Sequence, residues 1–252
     1  MAKVIALHSF RGGTGKSNIT ANLATMVAEA GHRVGMIDTD VQSPGIHAIF
    51  GLSESDIGRS LNDFLWRQGT ITEAAHDVSQ PACLQNGNLY LVPSSMKTAD
   101  ISRILHEGYD VRLLKDGLKE LVSSLALDYL FIDTHPGLNE ETLLSIAISR
   151  VLVIVLRPDS QDYQGTSVTL EIAHKLGAPN MYLVLNKALP EIHPDDYRRT
   201  LFLTYETEVG AVLPLSVEVA RTASGGVFCQ ELPDHPFSQG IRDLANHILA
   251  VE

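Results

Sequence analysis

Lys16 and Ser17 close a glycine-rich run, Arg11-Gly12-Gly13-Thr14-Gly15-Lys16-Ser17, whose residue types suit the holding of a phosphate. A phosphate wants several backbone N–H groups at close range, and glycine lets the backbone approach without a Cβ in the way. A helix that starts where the loop ends adds partial positive charge from its first N–H groups. Lys16 then reaches the β- and γ-phosphate oxygens, and the Ser17 hydroxyl ligates Mg²⁺. The usual pattern places glycine at position 10, where this chain has Phe10. The paired Gly12-Gly13 follows instead, together with a second cation, Arg11.

Carboxylates recur at two further places. Asp38-Thr39-Asp40-Val41-Gln42-Ser43-Pro44-Gly45 follows one apolar run, and Asp133-Thr134-His135-Pro136-Gly137 follows another, Tyr129-Leu130-Phe131-Ile132. An Asp at the end of a buried strand beside a phosphate loop can hold Mg²⁺ through a water, or orient a water for attack on the γ-phosphate. A lone Asp after a strand is more often a turn residue or helix cap. Two such ends together with the loop point to nucleotide chemistry. A further apolar run ends in Asn186-Lys187.

The elements that must position these residues are legible as short apolar runs alternating with helical patterns, which argues for a parallel sheet covered on both sides. Strands are expected at Val4–Leu7, Arg33–Ile37, Leu89–Val92, Tyr129–Ile132, Val151–Leu156, Met181–Leu185 and Ala211–Leu213. Several are nearly pure Val, Ile and Leu, as strands buried on both faces should be. The phosphate loop lies between the first of them and a helix-like segment from Ser17 to Ala30. Leu114, Leu118, Leu121, Val122 and Leu125 form one helical stripe, and Ile241, Leu244, Ala245, Ile248 and Leu249 another. Residues 53–88 are the least regular and are expected to hold short helices and loops over the nucleotide edge. The fold class expected is α/β: three layers, with a mostly parallel twisted sheet of about seven or eight strands.

At 252 residues, with 44% of them hydrophobic, the chain fits one large α/β domain spanning 1–252. No apolar run approaches the roughly 18 residues of a membrane span, and the N-terminus lacks a signal-peptide layout. Cys83 and Cys229 form no CxxC pair, so reduced thiols and a cytoplasmic location are expected. Thirty acidic residues against 19 basic ones give a net charge of −11, which disfavours non-specific DNA binding. Arg198-Arg199 and Arg221 remain candidates for a local basic patch, with Arg103, Arg112, Lys115 and Lys119 behind them. A solvated helix face is the simpler reading of each.

Together these motifs resemble the MinD/ParA family of deviant Walker ATPases, part of the wider group that includes the nitrogenase iron protein. In that family the first loop reads Lys-Gly-Gly-x-Gly-Lys-Ser/Thr, and its leading lysine crosses an ATP-dependent dimer interface to the partner's phosphates. Arg11 occupies that place here. The resemblance implies that Gly12, Gly13, Thr14, Gly15, Lys16 and Ser17 cradle the phosphates and that Asn18 reaches the α-phosphate. Asn186 would read the adenine, with the backbone at Pro214 and Leu215 packed against the base. Ser17 would coordinate Mg²⁺, with Asp133 acting through water and Asp38 supporting the same corner. Lys16, Asp40 and Arg11 would carry catalysis, Asp40 as organiser of the attacking water and Arg11 in trans. Arginine keeps the charge and adds planar bidentate geometry toward phosphate oxygens.

ATP and Mg²⁺ are therefore the expected cofactors, and slow, partner-stimulated ATP hydrolysis the expected activity. The role implied is a dimerisation switch for intracellular positioning or partitioning of DNA, division machinery or protein cargo. An ATP-dependent homodimer and a protein activator are the expected partners. The helical stripe ending at Leu249 leaves no room for a basic amphipathic extension, so membrane attachment is disfavoured. A metallocentre-assembly ATPase is the alternative, although the two cysteines do not resemble a cluster-bridging pair. A nucleotide-dependent scaffold and a ligase on the same fold are weaker readings. His135 is the only histidine inside a motif and reads as a supporting or dimer-face residue rather than a catalyst.

Overall fold

The computed structural model describes residues 2–222 and 225–251. The first half of the chain forms β1 (Lys3–His8), α1 (Lys16–Glu29), β2 (Arg33–Asp38), α2 (Ile46–Ile49), α3 (Leu61–Leu65), β3 (His76–Asp77), β4 (Asn88–Val92), α4 (Thr98–Glu107) and α5 (Val111–Ser124). The second half forms β5 (Tyr129–Asp133), α6 (Glu140–Ile148), β6 (Val151–Leu156), α7 (Ser160–Leu176), β7 (Met181–Ala188), α8 (Pro194–Tyr205) and β8 (Glu208–Pro214). Three helices follow: α9 (Val217–Thr222), α10 (Phe228–Glu231) and α11 (Pro236–Ala250).

The strands build one eight-stranded sheet in the order β3-β4-β2-β5-β1-β6-β7-β8. Every neighbouring pair is parallel except β3, which runs antiparallel to β4 at the edge. Alternate side chains point to opposite faces of each strand. Ile5, Leu7, Met36, Phe131, Val151 and Val153 therefore face α1 and α11, while Ala6, Leu152 and Ile154 pack on the other side with residues of α6, α7 and α8. On that second side Ile37, Val92, Leu130 and Ile132 meet α3 and α5. All six residues of β6 are buried, and each large aliphatic among them contributes about 1.5–3 kcal/mol by leaving water. The three layers follow from strands apolar on both faces.

The seven expected strands are present. The sequence reading puts the whole of 53–88 over the nucleotide edge; the structure places only its first part there. Leu61 N–H donates to the Pro93 carbonyl just beyond β4, and Ser95 N–H to Asn62 Oδ1, so α3 sits at the carboxyl end of the sheet. Residues 76–88 instead run down beside β4 to the opposite end, where Asn88 N–H donates to the His32 carbonyl. Val78 and Ala82 fill the core beneath that edge. Among the described residues, no helix is long and apolar enough to cross a membrane.

Candidate functional site

Register brings the chemistry to one level: Leu7 pairs with Asp133 and Asp38 with Asp133, so β1, β2 and β5 end side by side. Asp133 is fully buried and holds three donors from the start of α1. Lys16 Nζ lies 2.7 Å from Oδ1, Thr20 Oγ1 donates to the same oxygen at 3.0 Å, and Ser17 Oγ donates to Oδ2 at 2.6 Å. Thr20 lies four positions after Lys16 and three after Ser17, so it shares a helix face with each, and a single carboxylate collects all three. A buried ion pair with these extra hydrogen bonds satisfies both charges in a medium where either alone would be costly.

Asp38 is also fully buried and caps the loop that follows it. Its Oδ1 accepts from Asp40 N–H at 3.0 Å and its Oδ2 from Gly45 N–H at 3.1 Å. Burial first, and then the neighbouring Asp133 carboxylate, raise its pKa to about 7 against the pull of Lys16 and the Gly45 N–H. Asp38 therefore shapes the loop carrying Asp40, and Ser94 braces it by donating to the Asp38 carbonyl at 2.7 Å. Asp40 Oδ1 accepts from Ser43 N–H at 3.2 Å and lies 2.7 Å from His135 Nδ1. Thr39 ties this loop to β5 through its hydroxyl, 2.9 Å from the Asp133 carbonyl.

Beneath the phosphate loop lies His8, completely buried. Its Nδ1 is 3.0 Å from Thr134 Oγ1, whose own proton goes to the Leu7 carbonyl at 2.9 Å. Hydrogen-bond bookkeeping therefore assigns the ring proton to Nδ1 and leaves Nε2 as a buried acceptor without a partner. Burial, with help from Lys16 and His135, lowers its pKa to about 3, so the ring is neutral. A second cation beneath Lys16 is thereby avoided.

The loop is shaped by left-handed backbone at Gly13 (φ 75°) and Gly15 (φ 90°). A Cβ on Gly15 would sit 2.4 Å from Asn186 Nδ2. Asn186 Nδ2 donates to the Thr14 carbonyl at 2.7 Å, and Asn186 Oδ1 accepts from Lys187 N–H at 2.9 Å. Lys187, itself at φ 58°, turns Nζ to the Gly13 carbonyl at 2.9 Å. The residue expected to read adenine thus also braces the loop, with one amide N–H in reserve. Leu215, half exposed, hangs beside it where its N–H donates to the Ala188 carbonyl at 2.9 Å, directly after Pro214. Asn18 faces along α1, its Oδ1 accepting from Asn22 Nδ2 at 3.2 Å.

Arg11 stands on the outer side of the loop, 43% exposed, with NH1 at 3.7 Å from Asp159 and 3.8 Å from Asp162. Asp162 belongs first to Arg157, whose guanidinium grips it at 2.9 and 3.2 Å. Phe10 lies flat against α7 at Gly165, where a Cβ would come within 2.2 Å of the ring. The aromatic in place of the usual glycine therefore pins the loop's entry to α7.

These donors fit a nucleotide phosphate with Mg²⁺. Thr14 Oγ1 is buried with no partner, and Ser17 and Asp133 supply the hard oxygen donors that Mg²⁺ prefers. Among the described residues no cluster of three His, Cys, Asp or Glu gathers as a protein-only metal cage. Mg²⁺ bound mainly through phosphates and water needs none. Cys83 is exposed and Cys229 buried, and burial pushes the Cys229 thiol up to about 12. The sequence motifs do not include Thr20 or His8. Thr20 had a signal, since it lies one turn beyond Lys16 on the same helix face.

A family model described as an AAA domain (AAA_31) matches residues 2–183. An uncharacterized ATP-binding protein of Methanocaldococcus jannaschii is 26% identical over 253 residues, covering 100% of this chain and 89% of that protein. An iron-sulfur cluster carrier protein of Pseudomonas fragi is 28% identical over 237 residues, covering 88% of this chain and 76% of its own length. Among solved structures, the septum site-determining protein MinD of Pyrococcus horikoshii, complexed with Mg-ADP, superposes with a TM-score of 0.82 at 22% identity, over 98% of this chain and 96% of that one. With the phosphate loop, the Lys16–Asp133 pair and this likeness in hand, the chain belongs to the AAA domain family and is a P-loop ATPase of the MinD/ParA fold.

Proposed function

We propose that the protein is an ATP-binding and ATP-hydrolysing dimerisation switch that positions or partitions cargo inside the cell, in response to a protein partner. The observation that carries this reading is the state of Asp133: Lys16 and Ser17, the two side chains meant for phosphate and Mg²⁺, are both parked on it. Bound Mg²⁺ would neutralise charge on the β- and γ-phosphate oxygens. Lys16 would hold those oxygens and the Ser17 hydroxyl the ion, with Asp133, which both side chains contact, supporting the ion through water. The backbone N–H groups from Gly13 to Ser17 hold the phosphates from below.

Asp40 is the water-orienting carboxylate in this reading. His135 and Ser43 N–H both engage its Oδ1, which leaves Oδ2 to hold the attacking water. Arg11 supplies charge to the second protomer's phosphates, since its contacts to Asp159 and Asp162 are long and partly exposed, and such pairs are worth only ~0–1 kcal/mol. The net charge of −11 favours a protein surface over nucleic acid as the switch's target.

The iron-sulfur carrier relative raises cluster assembly as a second reading. One thiol is exposed in the turn after β3 and the other is buried behind α1, so the described residues offer no paired thiolates for a bridging cluster. The positioning switch is therefore preferred. Lys16→Ala should abolish ATP binding and turnover, measured by fluorescent-nucleotide titration and phosphate release. Wild-type affinity for Mg-ATP in that variant would contradict the proposal.

A further inference from the structure

At the end of the sheet opposite the phosphate loop lies a cavity of about 730 Å³, within the size range of small-molecule sites. It opens at the amino ends of β1 and β5, between α5 and the last residues of α6, beside the turn that holds Pro179. The floor and walls are apolar: Val4, Leu118, Val122, Leu130 and Ile148.

The charged residues on the lining are Lys3, Lys115, Lys119 and Arg150, with no carboxylate among them. That bias is against the grain of a chain in which acids outnumber bases 30 to 19. Lys115, Leu118, Lys119 and Val122 occupy one face of α5 at helical spacing, so two lysines alternate with two aliphatic side chains along the lining. Among the described residues Lys115 has no ionic partner, and Lys119 has only a long, exposed contact to Asp116 at 3.8 Å. Lys3 is less free: Nζ donates to the Val251 carbonyl and lies 5.6 Å from the centre of the Tyr129 ring. Arg150 is likewise engaged elsewhere, so the head-group cations are Lys115 and Lys119.

We propose that this cavity binds an amphipathic anion with an unbranched apolar tail and a single carboxylate head, that is, a medium-chain fatty acid. The tail lies over Val4, Leu130 and Ile148, and the carboxylate meets Lys115 and Lys119 at the mouth. A nucleotide or sugar would leave its polar groups against this apolar floor without hydrogen-bond partners, which is costly. A purely apolar ligand would gain nothing from the two lysines.

The test is calorimetric titration of the full-length protein with sodium decanoate, below its micellar concentration, beside octanoate, 1-decanol and phosphatidylglycerol vesicles. The expected result is saturable one-to-one binding of decanoate, weakened about tenfold for each two methylenes removed and at least fivefold for the uncharged alcohol. The double substitution Lys115→Glu/Lys119→Glu should weaken decanoate at least fivefold, and Ile148→Trp, which fills the cavity, should remove binding. Circular dichroism and a melting curve report that each variant is folded. The wild-type ligand series stands whether or not the variants fold. Absence of saturable binding, equal affinity for decanoate and decanol, binding confined to vesicles, or undiminished binding in folded Ile148→Trp would each overturn the proposal.

Discussion

Asp133 shows how one side chain organises the phosphate-loop site. Three donors from the first turn of α1 converge on it, and its neighbour across the sheet, Asp38, cannot share them because its oxygens are taken by loop N–H groups. Two buried carboxylates with one ammonium leave the second acid inclined to keep its proton. For Asp38 the folded pKa of about 7 lies above the ordinary 3.8. Between those values the folded state holds a proton that the unfolded state has released. The associated stability is whole below about pH 4 and is lost as pH rises to about 7. Asp38→Asn should flatten that fall, as read from urea unfolding at pH 4.5 and 7.5 beside the wild type. An identical pH dependence in the two proteins would contradict the assignment. Lys16, Ser17, Asp38, Asp40 and Asp133 were legible because motif spacing marks them. The pairing of His8 with Thr134 is not legible, since it spans 126 positions and depends on strand order that no local pattern states.

At the scale of elements, the phosphate loop is held from two sides, by β7 through Asn186 and Lys187 and by α7 through Phe10. Gly165 has a defined task here, because its missing Cβ is the space in which the Phe10 ring lies. Gly165→Ala should displace the ring and weaken Mg-ATP binding at least tenfold in an equilibrium titration. Adding Phe10→Ala should recover most of the loss; if the double variant is as weak as the single one, the contact is not the cause. The seven long strands could be read in advance since each is apolar on both faces, the mark of a covered parallel sheet. β3 could not, being two residues, His76–Asp77, with no periodicity to detect. The path of residues 76–88 was misjudged for a related reason: turn-rich sequence reports that the chain bends, not which end of the sheet it visits.

At the scale of the whole molecule, one chain leaves its site open on the side where Arg11 stands. The guanidinium touches Asp159 and Asp162 only at long range, while Asp162 is satisfied by Arg157. Arg11 can therefore leave without stranding a buried charge. A cation on the rim of its own loop, free to move, is what completion of a second protomer's site requires. The family and fold follow from the comparisons, whereas pairing through Arg11 is this account's central claim. The most direct test is light scattering on Asp40→Ala, which should hold ATP without consuming it, beside Asp40→Ala/Arg11→Ala. The first protein is expected to be a dimer with Mg-ATP and a monomer with Mg-ADP, and the second a monomer that still binds Mg-ATP. A dimer of undiminished affinity in the variant lacking Arg11, or a monomer under every nucleotide in Asp40→Ala, would contradict it.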